Sequence, residues 1–143
     1  KNIMKRRIDE EESYANIEMI YTLSLSFPCV SDDIPNKLLD SIFKELYTPY
    51  GLRTISKYSP NYDGLIYPKY MAYFIKANLR LTGITRASQK IAYNLVKELL
   101  QDVGKYVNGG TKKVYSEKGV SIDGMSYDIL TNAEMVRLYH MFM

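Results

Sequence analysis

The 143-residue chain has no tryptophan, one cysteine (Cys29) and one histidine (His140). Each scarcity closes a class of chemistry. A lone cysteine cannot form an internal disulfide, which suits a reducing compartment. Its place after Pro28, among apolar residues, reads as a small buried hydrophobe rather than a nucleophile. There is no Cys/His cluster, glycine-rich phosphate loop or Asp-rich calcium loop, so neither a metal nor a cofactor is expected. No apolar run approaches the ~18–20 residues of a membrane span, and no signal-peptide pattern opens the chain. The expectation is a soluble, cytoplasmic protein with no membrane partner. Nor is there an excess of one charge: the net +3 arises from 19 basic and 16 acidic residues that are interspersed. Without a basic stripe to track a phosphate backbone, no nucleic-acid partner is expected.

A hydrophobic content of 46% predicts an ordered globular chain, read as a single domain over 1–143. Residues 1–12 carry the runs Lys5-Arg6-Arg7 and Asp9-Glu10-Glu11-Glu12 and are expected to be frayed. Only two glutamines (Gln89, Gln101) beside many Lys, Glu, Ile and Tyr point to a thermophile.

Apolar spacing predicts an all-α fold of five helices. The first runs from about Tyr14 to Ser26 and is stopped by Pro28. The second has Asp33 as N-cap and Pro35 in its first turn, with Leu38, Leu39, Ile42, Phe43 and Leu46 on one face. The third starts near Pro68, carries Met71, Phe74, Ile75 and Leu79, and ends at Gly83. The fourth is capped by Thr85 and carries Ala87, Ile91, Leu95, Leu99 and Val103. The fifth opens on a capping box, Thr131 with Glu134, and runs through Leu138 and Phe142. Two long connections, Thr48–Tyr67 and Lys105–Leu130, alternate with short ones, and loops this long in a compact domain are usually functional or disordered.

The string Glu45 to Thr54, ELYTPYGLRT, is too specific for a helix exit alone. Pro49 and Gly51 explain an exit, whereas Tyr50, Arg53 and Thr54 in that order do not. It resembles the TPYGLRT signature of the amylo-α-1,6-glucosidase domain of glycogen debranching enzymes, within the six-hairpin glycosidases. Asn16–Pro28 resembles that family's RPNQ-x-x-ALSLPFP segment. Gly64-Leu65-Ile66-Tyr67-Pro68 resembles G-x-VWP, with Tyr67 in place of Trp. Gly110-Thr111 followed by Val114-Tyr115-Ser116 resembles GTIPEIFDG, and Ala133-Glu134-Met135 fits QAWSVAELLR. The resemblance implies a partial (α/α)6 toroid of antiparallel helical hairpins, completed by missing N-terminal hairpins or by self-association. It also implies an α-glucan or oligosaccharide as ligand.

Inverting glycoside hydrolysis needs a protonated acid and a carboxylate base roughly 6.5–9.5 Å apart. In the resembled family the base is the glutamate of the GTIPEIFDG loop. Aligning Val114-Tyr115 on its Ile-Phe puts Lys113 at that position, and a lysine there is cationic and cannot accept a proton from water. Glu117 substitutes if the loop shifts; its bland reading is an exposed acid beside Lys118 and Gly119. Tyr50, Tyr67 and Tyr70, with Arg53 and Thr54, are the residues the resemblance implies for substrate binding. Arg53 reads equally well as a staple paired with Asp63. Tyr14, Tyr21, Tyr93 and Tyr139 fall within predicted helices and read as packing residues. Three functions follow: part of a working α-1,6-glucosidase, a silent relative that keeps the glucan cleft, or a helical interaction module. The expected activity of this chain alone is nil.

Overall fold

Among the described residues five helices form near the positions that apolar spacing predicts, and they are not the whole fold. The first is shorter than the expected Tyr14–Ser26, and Asp33 makes no side-chain cap bond to the second. The computed structural model describes residues 14–27, 33–103, 113–120 and 128–142. The expectations for the first twelve residues, for Cys29 and for the Gly109-Gly110 pair lie outside the described residues. The helices are α1 (Glu18–Ser24), α2 (Ile34–Glu45), α3 (Met71–Thr82), α4 (Arg86–Val103) and α5 (Ile129–Phe142), and a 3-10 turn, Pro68–Tyr70, leads into α3. Four short strands accompany them: β1 (Tyr47–Thr48), β2 (Gly51–Arg53), β3 (Leu65–Tyr67) and β4 (Tyr115–Ser116). They pair antiparallel in the order β1-β2-β3-β4.

The sheet overturns the all-α expectation and with it the partial (α/α)6 toroid. Its strands lie in the two segments read as long loops, except that β1 starts one residue earlier, at Tyr47. Tyr, Thr, Leu and Ile favour a pleated backbone, but runs of two or three residues are too short to display an alternation. Pro49 and Tyr50 form the tip of the β1–β2 hairpin, and Pro49-Gly51 suits a tight four-residue turn. Thr48 Oγ1 braces it, donating to Gly51 O at 2.8 Å and accepting from the Tyr50 N–H. Gly51 is obligatory: its φ is +152°, and a Cβ there would lie 2.8 Å from the carbonyl carbon of Tyr67 on β3.

The helical core follows the sequence closely. Met19, Ile20 and Leu23 of α1, Leu38, Leu39 and Ile42 of α2, and Phe74 and Ile75 of α3 are buried, and Leu52, Ile66 and Tyr115 bring the sheet into the same cluster. Helix α3 is central, packing against α1, α2, α4 and α5. Residues before α1 extend the sheet side: the Ile17 N–H donates to Thr54 O and the Ser56 N–H to Ala15 O, around an Asn16–Ile55 bridge.

Three local readings need correction. Helix α5 begins at Ile129, and its cap is Asp128, whose Oδ2 accepts from both the N–H and hydroxyl of Thr131. Glu134 pairs instead with Arg137 at 3.2 Å. On α4 the burial of Leu95, Leu99 and Val103 lies outside what is described; among the others Ser88 and Ala92 are buried and Ile91 and Val96 half-buried, while Ala87 is exposed. The Thr85 cap does form, with Ser88 reciprocating: the Ser88 N–H donates to Thr85 Oγ1 at 3.1 Å and the Thr85 N–H to Ser88 Oγ at 2.8 Å. Tyr93 and Tyr139 are 66% and 56% exposed, so they are surface residues rather than packing residues. No described helix is long and apolar enough to cross a membrane.

Candidate functional site

Glu117 is placed by the turn that follows β4. The Gly119 N–H donates to Ser116 O, the Ser116 N–H to Val120 O, and the Val120 N–H to Ser116 Oγ. Gly119, with φ +73°, closes this turn beneath the Tyr50 ring, where a Cβ would come within 2.7 Å of Tyr50 Cε2. The Tyr50 ring also stacks on Tyr115, with centroids 6.4 Å apart. Tyr50 is therefore a clamp on the Glu117 turn.

From that turn Glu117 reaches back to Arg53 on β2. The Arg53 Nε–H donates to Glu117 Oε1 at 2.7 Å and to Tyr62 Oη at 3.1 Å, and the Tyr62 hydroxyl donates to the same Oε1 at 2.6 Å. Arg53 Nη1 donates to the carbonyls of Glu45 and Tyr47 at 3.3 and 3.2 Å. Arg53 is only 9% exposed. Its predicted staple role holds, but its acid is Glu117; Asp63 Oδ1 instead accepts from the Leu65 N–H and starts β3. Tyr62, which sequence reasoning passed over, is positioned by a chain of turns. The Tyr62 N–H donates to Ser59 O and the Ser59 N–H to Ser56 O, while Ser56 and Ser59 hydroxyls accept from the Tyr58 and Asn61 N–H groups. Its signal was the serine spacing, which favours turns.

The electrostatics follow from these contacts. Bonds from Tyr62 and Arg53 hold the Glu117 carboxyl below its ordinary range. Burial and the carboxylate beside it push the Tyr62 phenol up to about 12. Glu117 is thus an anion at neutral pH, and its side chain is 46% exposed. Both bonds fall on Oε1; among the described residues Oε2 accepts none. Lys113 is exposed at the start of the segment leading into β4, and Thr54 is half-buried, its carbonyl serving the Ile17 N–H.

Tyr67 and Tyr70 lie elsewhere, at the junction of β3 and the 3-10 turn. Their centroids are 6.1 Å apart, and Lys69 Nζ sits 5.7 and 5.0 Å from the two rings. Tyr70 meets Tyr21 of α1 edge-on at 6.2 Å, and Tyr21 meets Tyr73 of α3 at 5.0 Å. The structure therefore groups Arg53, Tyr62, Glu117 and Tyr50 at one place, and Tyr67 and Tyr70 with Tyr21, Lys69 and Tyr73 at another. No cluster of three or more His, Cys, Asp or Glu that could hold a metal occurs among the described residues.

The network joins an arginine of the TPYGLRT-like string to a half-exposed carboxylate. The family model described as amylo-alpha-1,6-glucosidase matches residues 3–123. The chain belongs to that family, which is one of glycogen-debranching-type glycoside hydrolases. Searches of curated proteins and of solved structures gave no match.

Proposed function

We propose that the chain binds α-glucan as part of a glycogen-debranching-type glycoside hydrolase and does not hydrolyse glucans by itself. The observation that carries this reading is the state of Glu117. An ionised, half-exposed carboxylate whose Oε2 accepts no hydrogen bond from the described residues suits a sugar hydroxyl or a water, as a base or a binding group requires. Hydrolysis needs a second, protonated carboxyl group across the scissile bond, and the Arg53–Tyr62–Glu117 network contains only one. Lys113 carries no carboxyl group and so does not supply it. The acid would come from outside the described residues or from a partner, whether further hairpins of the same enzyme or a second copy. Arg53 and Thr54 act as positioning residues, while Tyr67 and Tyr70 present ring surface to glucan. A reducing, cytoplasmic setting accords with the single cysteine.

A second reading, a helical interaction module, is favoured by one feature. Tyr93, Val96, Lys97, Leu100 and Gln101 of α4 line an open groove of about 290 Å³, and Tyr93 and Leu100 are exposed.

Calorimetric titration with maltooligosaccharides, beside a reducing-sugar assay on branched α-glucan, tests the proposal. Binding without hydrolysis is expected. Hydrolysis that disappears in Glu117→Gln would show that the acid lies within this chain. Absence of binding together with concentration-dependent association would favour the module.

A further inference from the structure

We propose that the pocket between α1, the 3-10 turn, the start of α3 and the start of α5 is a subsite for a single pyranose unit, separate from the Glu117 carboxylate. The inference rests on the glucan reading above, which already uses Tyr70, and adds Tyr21, Lys69, Tyr73, Leu130 and Glu134, which that reading leaves out. Tyr21, Lys69, Tyr70, Tyr73, Leu130 and Glu134 line a cavity of about 160 Å³. At ~30 Å³ per water this holds about five water molecules. It is well below the ~300 Å³ at which pockets for drug-sized ligands begin. One sugar ring fits; an extended ligand does not.

The walls are fixed before any ligand arrives. Three tyrosines from three elements brace one another, Tyr21 standing edge-on to both Tyr70 and Tyr73. Such aromatic pairs contribute about 0.5–1.5 kcal/mol each beyond their buried area. Glu134 is held by Arg137 Nη1, which donates to Oε1 and Oε2 at 3.3 and 3.2 Å, and the guanidinium lies 4.8 Å from the Tyr73 ring centre. Burial, with neighbouring tyrosines and acids, raises the Tyr21 phenol, so it remains an O–H donor at neutral pH.

This lining selects a class of ligand. An apolar guest would strip water from Glu134 and Lys69 without returning hydrogen bonds, at a cost of roughly 1–3 kcal/mol per group. An anion would meet the Glu134 carboxylate, with Lys69 as the lining cation against it. A neutral polyhydroxylated ring meets neither penalty. Its C–H faces lie on tyrosine rings, and its hydroxyls donate to Glu134 and accept from Lys69 and the phenols.

The test is NMR of the full chain carrying ¹³C-labelled tyrosine, titrated with methyl α-glucoside, maltotriose and inorganic phosphate. The resonances of Tyr21, Tyr70 and Tyr73, assigned by single Tyr→Phe substitutions, should shift with both sugars. Leu130→Trp places bulk at a position 58% exposed and should leave the fold intact by circular dichroism while weakening maltotriose at least tenfold. Glu134→Gln keeps the shape and should weaken it about tenfold, as expected for loss of one charge-assisted hydrogen bond. Maltotriose binding that shifts only Tyr50 and Tyr62, unchanged in both variants, would overturn the subsite and leave the glucan reading standing. No maltotriose binding in the unsubstituted chain would overturn both. A stronger response to phosphate than to glucoside would overturn the ligand class.

Discussion

The sheet-side network and the tyrosine pocket use the same ingredients: an arginine, a glutamate and tyrosine rings. They differ in how far along the chain each ion pair reaches. Arg53 meets Glu117 across 64 positions, whereas Arg137 meets Glu134 across three. A pair that spans the chain holds strands together and commits Arg53 Nε and Nη1 to that task. A pair within one helical turn fixes only a rotamer, and the groups around it keep free hydrogen-bonding capacity. The first arrangement builds the fold at Glu117, and the second leaves a cavity with working polar ends.

The comparison can be broken most forcefully at Gly51. Gly51→Ala forces a Cβ against the β3 backbone at a positive φ and is expected to cost about 3 kcal/mol or more in urea unfolding. A loss below about 1 kcal/mol would mean that β2 and β3 separate easily, and the sheet would not be the rigid partner. Next in size is a matched pair of arginine substitutions. Arg53→Met leaves the Glu45 and Tyr47 carbonyls without their donor and should cost about 2–3 kcal/mol, against under about 1 kcal/mol for Arg137→Met. Equal costs would erase the distinction between long-range and local pairs.

Acid and base act on the network from opposite sides. The Glu117 carboxyl titrates lower in the folded chain than its ordinary 4.5, so its contribution is complete above that value and is lost as pH falls through the folded pKa. The Tyr62 phenol titrates at about 12 against 10.0, so its contribution is complete below pH 10 and is lost between 10 and 12. Melting temperature against pH should therefore drop at both ends. Glu117→Gln should flatten the acid limb and Tyr62→Phe the alkaline one; unchanged limbs would disconnect these groups from stability. The smallest expected effect is Lys69→Ala, within about 0.5 kcal/mol in stability yet measurably weaker for maltooligosaccharide. A large destabilisation would make Lys69 structural and the pocket incidental.

Much of the helical layer was legible in the sequence, because stripes such as Leu38, Leu39 and Ile42 repeat at a period that helices alone produce. The sheet was not, since its strands carry two or three residues each and owe their pairing to partners far along the chain. The candidate site divides the same way. Arg53 and Glu117 were named separately from the family-like strings, but their contact depends on the register Arg53↔Ile66 and Ile66↔Tyr115, which no local pattern reveals. Tyr62 was missed because a loop tyrosine has no periodicity to mark it. Tyr21, read as a packing residue, does pack edge-on against Tyr70 and Tyr73, and it also lines a cavity, which periodicity does not reveal.

The 64 positions between Arg53 and Glu117 also have a consequence in time. Loop closure over such a distance generally follows local helix formation, so the α3–α4 hairpin is expected to precede the β3–β4 pairing. During synthesis at about 5–20 residues per second, Arg53 would emerge roughly 3–13 s before its carboxylate partner. For that interval its guanidinium has Tyr62 and two carbonyls but no counter-charge, and the segment from Thr54 to Tyr62 lacks the clasp that closes it. Ribosome-bound chains stalled short of Glu117 should be cut by protease between Thr54 and Tyr62, and the released 143-residue chain should resist. Equal resistance in both would mean that the turns of Ser56 and Ser59 hold the segment unaided.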